Sequence, residues 1–330
     1  MKKPFVILTG PTAVGKSALS IQLAKAINGE IISADSMQVY KYMDIGSAKI
    51  MPKEMQGVTH YLIDEFEPWE EFHVVKFQTY ARKYMDAIYA KGKIPILVGG
   101  TGFYIQALLY DIDFTEQESN GAYRAQLEQL ADEKGNDYLH DMLRQVDEKA
   151  ALEIHANNCK RVIRALEFYH ETGQKISQHN ETERAKESPY QFAYFVLNDE
   201  RSKLYERIDA RVDKMVQDGL IEEVTHLKEM GCTKDLVSMQ GLGYKEILAY
   251  LSGSCTLEEA IYTIKRDTRH FAKRQLTWFH RERDVIWLNK PDFNYSDPAI
   301  LQYMTQVLTD KEILSPIITL PTNPKRGIEK

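Results

Sequence analysis

Gly10-Pro-Thr-Ala-Val-Gly15-Lys16-Ser17 is the stretch whose reading decides the fold. It fits the pattern G-x-x-x-x-G-K-[ST], and its flanks are those the pattern's mechanism needs. Phe5-Val-Ile-Leu-Thr9 reads as a short buried strand, and Leu19, Leu23, Ala24 and Ile27 recur at helical spacing. A strand that turns through a glycine loop into a helix can wrap its backbone N–H groups around a phosphate, with no Cβ in the way. The helix N-terminus adds partial positive charge, Lys16 adds a full one, and the Ser17 hydroxyl is a candidate Mg²⁺ ligand. An ordinary strand-to-helix turn is the competing reading, and the strand–loop–helix order weighs against it. The loop is expected to hold a diphosphate or polyphosphate through Gly10, Thr12, Ala13, Val14, Gly15, Lys16 and Ser17.

Outside this loop the chain has the composition of a soluble globular protein. It has 330 residues, 43% hydrophobic and 27% charged, enough for one large domain or two ordinary ones. No signal peptide or apolar span is visible, so a cytoplasmic protein without membrane association is expected. Cys159, Cys232 and Cys255 are too few and too scattered for a disulfide framework or a zinc pattern. The formal net charge of −6 argues against a generic nucleic-acid coat but leaves room for a local basic surface.

Four further segments read as core strands: Glu30–Ala34 ending at Asp35, Ile94–Val98 ending at Gly99-Gly100-Thr101-Gly102, Phe192–Leu197, and Val285–Leu288. Helical patterns over 74–91, 204–229 and 256–281 separate most of them, which predicts a parallel sheet covered on both faces. The expected fold class is therefore α/β, a P-loop NTPase-like core, and its ligands belong at the carboxyl ends of the strands. That topology delivers the phosphate loop, Asp35 and Thr101 to one edge. The stretch from about 113 to 190 breaks the alternation and reads as helices over 121–135, 137–145, 147–155 and 159–172, with the polar run Gln178–Ser188 as a return linker. The expected organisation is core over 1–112, an all-helical insertion over 113–190, and core again over 191–330. The last residues, with Pro316, Pro321 and Pro324, read as a frayed tail.

Asp35, in Asp35-Ser-Met-Gln-Val-Tyr40, is a candidate Mg²⁺ partner or general base; a turn or N-cap aspartate is the plainer alternative. The glycine turn at Thr101 permits close backbone approach to a ligand and offers a hydroxyl, although a tight turn alone would explain it. Lys160, Arg161 and Arg164 could line one side of a helix start or simply be solvated. Arg207 and Arg211 lie one turn apart and could face the phosphate, or pair with Asp209 or Asp213. On the last long helix Arg266, Arg269, Lys273, Thr277 and His280 share one face, suited to a nucleic-acid backbone. Ile264, Phe271 and Trp278 recur every seven residues as the expected core-facing stripe.

Six motifs occur in order: the phosphate loop, Asp35–Tyr40, Gly99-Gly-Thr-Gly-Phe-Tyr104, Asn158-Cys-Lys-Arg-Val-Ile-Arg-Ala-Leu-Glu167, Gln240-Gly-Leu-Gly-Tyr244 and Arg274-Gln-Leu-Thr-Trp-Phe279. With them the chain resembles the bacterial tRNA dimethylallyltransferases, also called tRNA isopentenyltransferases, over nearly its whole length. One departure is His155-Ala156 where the family usually has His-Pro, a change at a helix boundary that is expected to leave the chemistry alone. The resemblance implies transfer of a dimethylallyl group from dimethylallyl diphosphate to N6 of the adenosine just 3′ of the anticodon, with Mg²⁺. It further implies that Asp35 accepts the N6 proton, that Thr101 hydrogen-bonds near the bridging oxygen and that Arg211 assists at the phosphates. Implied contacts with the tRNA anticodon stem-loop are Ser36, Met37, Gln38, Thr101, Arg124, Lys160, Arg161, Arg164, Gln240, Gly241, Gly243, Tyr244, Lys245, Lys273, Arg274, Thr277 and His280, with the helical insertion clamping the RNA. A monomer is expected. A small-molecule or nucleotide kinase, a prenyltransferase acting on free adenine nucleotides and a non-catalytic RNA-binding NTPase remain alternatives. The absence of a Walker-B acid after the third strand and the basic last helix weigh against the kinase.

Overall fold

The computed structural model describes residues 2–114 and 121–314; the proline-containing tail therefore lies outside the described residues. Two compact units are present, Leu109–Pro189 and the remainder of the chain. The first half of the α/β unit runs β1 (Lys3–Thr9), α1 (Lys16–Ala26), β2 (Gly29–Ser33), β3 (His60–Tyr61), α2 (Val74–Ala90), β4 (Ile94–Gly99) and α3 (Gly102–Leu109). The helical unit holds α4 (Ala122–Lys134), α5 (Asn136–Val146), α6 (Glu148–Glu153), α7 (Cys159–Thr172) and α8 (Ile176–Ala185). The chain then returns through β5 (Tyr190–Asn198), α9 (Arg201–Gln217), α10 (Leu220–Glu229), α11 (Tyr244–Leu251), α12 (Leu257–Phe279), β6 (Val285–Asn289) and α13 (Asp297–Asp310).

Every strand pairing is parallel, in the order β3-β2-β4-β1-β5-β6. β1 lies between β4 and β5, and Phe5, Val6, Ile7 and Leu8 are wholly buried. An uninterrupted apolar run is what a central strand covered on both faces requires. Two expected elements differ from the sequence reading. The helix over 204–229 is two helices, broken where Gly219 takes φ +106°, a conformation that side chains with a Cβ rarely adopt. The run Gln178–Ser188 is no linker: Ile176–Ala185 is helical, and Asp147 pins its start by accepting hydrogen bonds from the Ser177 backbone and hydroxyl. α8 is polar nearly all round, so it lacks the apolar period by which a helix is read from sequence. The helical unit has its own core of Leu127, Leu139, Leu143, Val162, Ile163 and Leu166.

Candidate active site

The loop between β1 and α1 closes as tightly as its glycines permit. A Cβ on Gly10 would stand 2.2 Å from the Leu197 carbonyl oxygen, at φ +145°; Gly15, the N-cap of α1, sits at φ +100°. Ala13 and Val14 are buried, while Ser17 faces solvent from the first turn of α1. Lys16 folds back over the loop, its Nζ donating to the carbonyls of Gly10 (2.9 Å) and Pro11 (2.8 Å).

Two neighbouring strand ends meet this loop. After β2, Asp35 forms an Asx turn: its Oδ1 accepts from the N–H groups of Met37 (2.9 Å) and Gln38 (3.3 Å). No hydrogen bond among the described residues engages Oδ2. After β4, the Thr101 N–H donates to the Ala34 carbonyl at 3.2 Å, which fixes the glycine turn to the residue preceding Asp35. From α9, Arg211 completes the set. Crowding of its ammonium away from water, then repulsion from Arg211, brings the Lys16 pKa down to about 7 against the opposing pull of Asp35. Arg211 is lowered by burial, then by Arg207, and again opposed by Asp35. Arg211 is reached by solvent, yet Lys16 feels its charge and it in turn feels that of Asp35. Two cations and one carboxylate thus converge at the strand ends.

The two arginines divide their labour. Arg207 does not face a phosphate: it donates to the Ala13 carbonyl (3.0 Å) and pairs with buried Asp199 (2.6 Å), bracing the loop from behind. Sequence reading assigned Gln275 no role. It is buried on α12, accepts from the Thr12 N–H at 2.9 Å and donates to the Gly100 carbonyl at 3.0 Å, tying the phosphate loop to the glycine turn. Glu223 was also missed; it accepts from the backbone N–H groups of Asp44, Ile45 and Gly46 and from the Tyr244 hydroxyl.

The chain has close matches among characterised proteins. The sequence profile of the IPP transferase family matches residues 38–282, and that of isopentenyl transferases matches residues 4–70. The tRNA dimethylallyltransferase of Lachnoclostridium phytofermentans is 66% identical over 94% of this chain and 99% of its own length. That of Acetivibrio thermocellus is 51% identical over 92% of this chain and 96% of its own. The chain belongs to the tRNA dimethylallyltransferase family. Solved structures agree with this family fold. The full-length tRNA isopentenylpyrophosphate transferase of Bacillus halodurans superposes with a TM-score of 0.71 at 44% identity, over 94% of this chain and 98% of that one. A eukaryotic dimethylallyltransferase described as acting on tRNA gives 0.79 at 31% identity, over 93% of this chain and 79% of that one. The expected α/β core and the expected family are thereby borne out.

The residues that the dimethylallyltransferase resemblance assigned to RNA fall into distinct settings. Lys160, Arg161 and Arg164 are exposed at the start of α7, and Lys273, Arg274, Thr277 and His280 lie on α12 and at its C-terminal end, with Lys273, Arg274, Thr277 and His280 all reached by solvent. Ser36, Met37 and Gln38 are half-buried beside Asp35; Gln38 is anchored by its amide to the Ala48 carbonyl at 3.0 Å. Gln240 and Lys245 are exposed. Gly241 gives room to Met37, whose Cε would lie 2.5 Å from a Cβ there, and Gly243 N-caps α11 at φ +96°. Tyr244 is wholly buried with its hydroxyl on Glu223 at 2.8 Å, so it presents no surface to a ligand. Arg124 is half-exposed but holds buried Glu167 through two hydrogen bonds of 2.9 and 2.6 Å.

α12 also differs from its expected pattern. Its buried seam is Ala260, Ile264, Ala272, Gln275 and Phe279, so Phe271 and Trp278 flank the core rather than form its centre. Arg269 leaves the expected basic face to pair with Asp209 at 2.5 Å. Trp278 packs on Gly102, where a Cβ would fall 2.3 Å from the ring.

Among the described residues no cluster of three or more His, Cys, Asp or Glu side chains could cage a metal ion, and no helix is long and apolar enough to cross a membrane. The oxygen donors that the phosphate loop and the end of β2 offer are the Ser17 hydroxyl and the Asp35 carboxylate. Such a sparse, hard donor set suits a cation that keeps its waters and takes substrate phosphate oxygens, which is the habit of Mg²⁺ rather than zinc.

Proposed function

We propose that this protein transfers the dimethylallyl group of dimethylallyl diphosphate to N6 of the adenosine 3′-adjacent to the anticodon in tRNA. Membership of the family supports the reaction class. The observation that carries the site assignment is the convergence of Lys16, Arg211 and Asp35 at the strand ends.

The allylic C1–O bond breaks and its electron pair leaves on the diphosphate. Negative charge therefore grows beside the loop, where the Lys16 ammonium, released from the Gly10 and Pro11 carbonyls, and the Arg211 guanidinium would stabilise it. Thr101, on the neighbouring turn, would donate its hydroxyl near the bridging oxygen. Mg²⁺, held by Ser17, would supply further charge neutralisation for the leaving group. The N6 nitrogen of adenosine is a poor nucleophile until it sheds a proton as the N–C bond forms. Asp35 takes that proton at Oδ2, because Oδ1 is held by the Asx turn. The target base must leave its stack to reach the loop edge, where exclusion of water protects the allylic carbon from hydrolysis. Ser36, Met37 and Gln38, adjoining Asp35, and Lys273, Arg274, Thr277 and His280 on α12 form the proposed RNA-facing set of the α/β unit. Lys160, Arg161 and Arg164 form that of the helical unit. Tyr244 acts from within by holding Glu223.

The test is incubation with Mg²⁺, labelled dimethylallyl diphosphate and unmodified tRNA, followed by mass analysis of the digested nucleosides. N6-dimethylallyladenosine is expected from tRNA and not when AMP or ATP replaces it. ATP turnover without any prenylated nucleoside would return the reading to a kinase or NTPase.

A further inference from the structure

The far wall of the phosphate loop carries a cation that none of the motifs includes. β6 ends at Asn289 in register with Asn198 of β5, whose side-chain amide donates to the Asn289 amide oxygen at 3.1 Å. The chain then makes a 3-10 turn, Lys290–Phe293, closed by the Tyr295 N–H on the Lys290 carbonyl at 3.0 Å. The Tyr295 hydroxyl reaches Asp199 at 3.2 Å, and Asp199 pairs with the same Arg207 that donates to Ala13. The backbone that carries Lys290 is thus braced against the phosphate loop through Tyr295, Asp199 and Arg207.

From that anchored position the Lys290 side chain extends over the loop. Its Nζ lies 3.0 Å from the point a Cβ on Gly15 would occupy. The residue is half-buried, and no hydrogen bond or ion pair among the described residues engages its ammonium. The neighbouring cations are otherwise committed: Arg207 is neutralised by Asp199, and Lys203 bonds the Tyr295 hydroxyl at 2.6 Å. A solvated surface lysine would swing free; this one is pressed onto the glycine that N-caps α1. Gly15 owes its lack of a side chain to its φ of +100°, and that lack leaves room for the Lys290 ammonium beside it.

We infer that Lys290 is a diphosphate-binding residue, a third cation beside Lys16 and Arg211, placed on the Gly15 side of the loop. The inference rests on the function proposed above. A diphosphate is a polyanion with oxygens on both sides of the loop, so a cation on the Gly15 side adds attraction that Lys16 and Arg211, on the other side, do not supply. A compact ammonium on a flexible four-carbon stem can reach a phosphate oxygen held at the Gly15 N–H by rotating its last bonds. The contact persists with the released product, so Lys290 serves affinity for the diphosphate group and has no part in RNA binding.

The experiment measures binding of inorganic diphosphate to the full-length chain by calorimetry, for wild type, K16M, K290M and K290R, at low and high salt. K290M is expected to raise Kd about tenfold at low salt and less at high salt, because salt screens the lost charge. K290R should stay within about threefold of wild type, and KM for tRNA should not move in either. Diphosphate binding by K290M within about twofold of wild type, with K16M impaired, overturns the role of Lys290 and leaves the phosphate loop standing. Undiminished binding by K16M removes the phosphate-loop reading and Lys290 with it. A fall in Tm shared by K290M and K290R without a change in Kd assigns the lysine to structure alone and also overturns the inference.

Discussion

The tie made by Gln275 can be broken from either end, which makes it a quantitative test of the site's construction. Gly100 does not occupy the positive-φ region, so its backbone tolerates alanine. The obstacle is Gln275: a Cβ on Gly100 would meet its Nε2 at 2.2 Å, whereas the Gly10 carbonyl oxygen would be an ordinary neighbour at 3.7 Å. G100A must therefore displace the Gln275 amide and break its hydrogen bonds to Thr12 and Gly100 together. Two neutral hydrogen bonds at about 1 kcal/mol each, with part-buried backbone groups left unpaired, amount to about 2–3 kcal/mol. Q275A loses the same two bonds and should cost about the same. In the double variant the shortened side chain at position 275 no longer collides with the new methyl group at position 100. Its loss should therefore match that of Q275A alone, a coupling of about 2 kcal/mol. Urea unfolding followed by tryptophan fluorescence isolates the right unit, because Trp69, Trp278 and Trp287 all lie in the α/β unit. Losses that add to within about 0.5 kcal/mol would refute the claim that Gln275 is what requires glycine at 100.

With the Lys16 pKa near 7, the free protein at pH 8 is mostly neutral there, and diphosphate binding must restore the proton. Calorimetry in buffers of differing ionisation enthalpy should find wild type taking up about 0.9 more protons than K16R at pH 8, and about 0.1 more at pH 6. The same lowered pKa makes the free protein gain stability as pH rises from about 7 towards the ordinary lysine value of 10.5, since the unfolded chain binds the proton more tightly. Burial alone would raise the pKa of Glu30, but hydrogen bonds from Lys93, Lys91 and Tyr61 overcome it and hold the carboxyl at about 2. Its stabilisation is present above about pH 4.5 and lost as pH falls towards 2, so urea midpoints of wild type should drop more steeply across that window than those of E30Q. Replacing Lys160, Arg161 and Arg164 together by alanine should weaken tRNA binding and lower the slope of log K against log salt by about 2, with diphosphate affinity unchanged. An unaltered slope would exclude these three from contact with RNA phosphates. D35N keeps the shape of the Asx turn and removes the base, so diphosphate affinity should persist while turnover falls at least about a hundredfold.

Much of this protein is written locally. The phosphate loop is eight consecutive residues, Gly10–Ser17, and strand, turn and helix dipole are properties of neighbours in the chain. The parallel sheet follows from apolar runs alternating with helices, and the arrival of Asp35 and Thr101 beside the loop follows from that topology. α13 went unread, although Ser296 caps it ahead of Pro298 and Ile300, Met304 and Leu308 recur every fourth residue.

Other features have no local signal. Thr12 and Gln275 are 263 positions apart, and a glutamine on a helix gives no sign that its amide will bridge two loops. Sequence spacing put Arg207 and Arg211 on one face, but the position of Asp199 decided that Arg207 braces the loop while Arg211 is left without an ion pair among the described residues. The seam of α12 is offset from its seven-residue stripe: Ala272, Gln275 and Phe279 are buried, while Trp278 packs beside them on Gly102 of the glycine turn. The resemblance puts Tyr244 among the RNA contacts, yet its ring is wholly buried with the hydroxyl on Glu223. The sequence by itself determined the loop, its helix and the layering of the sheet, because backbone geometry and apolar period act over a few residues. Only the tertiary structure decided which side chains serve the ligand and which serve one another, because hydrogen-bond partners and burial depend on residues that the chain brings together from far apart.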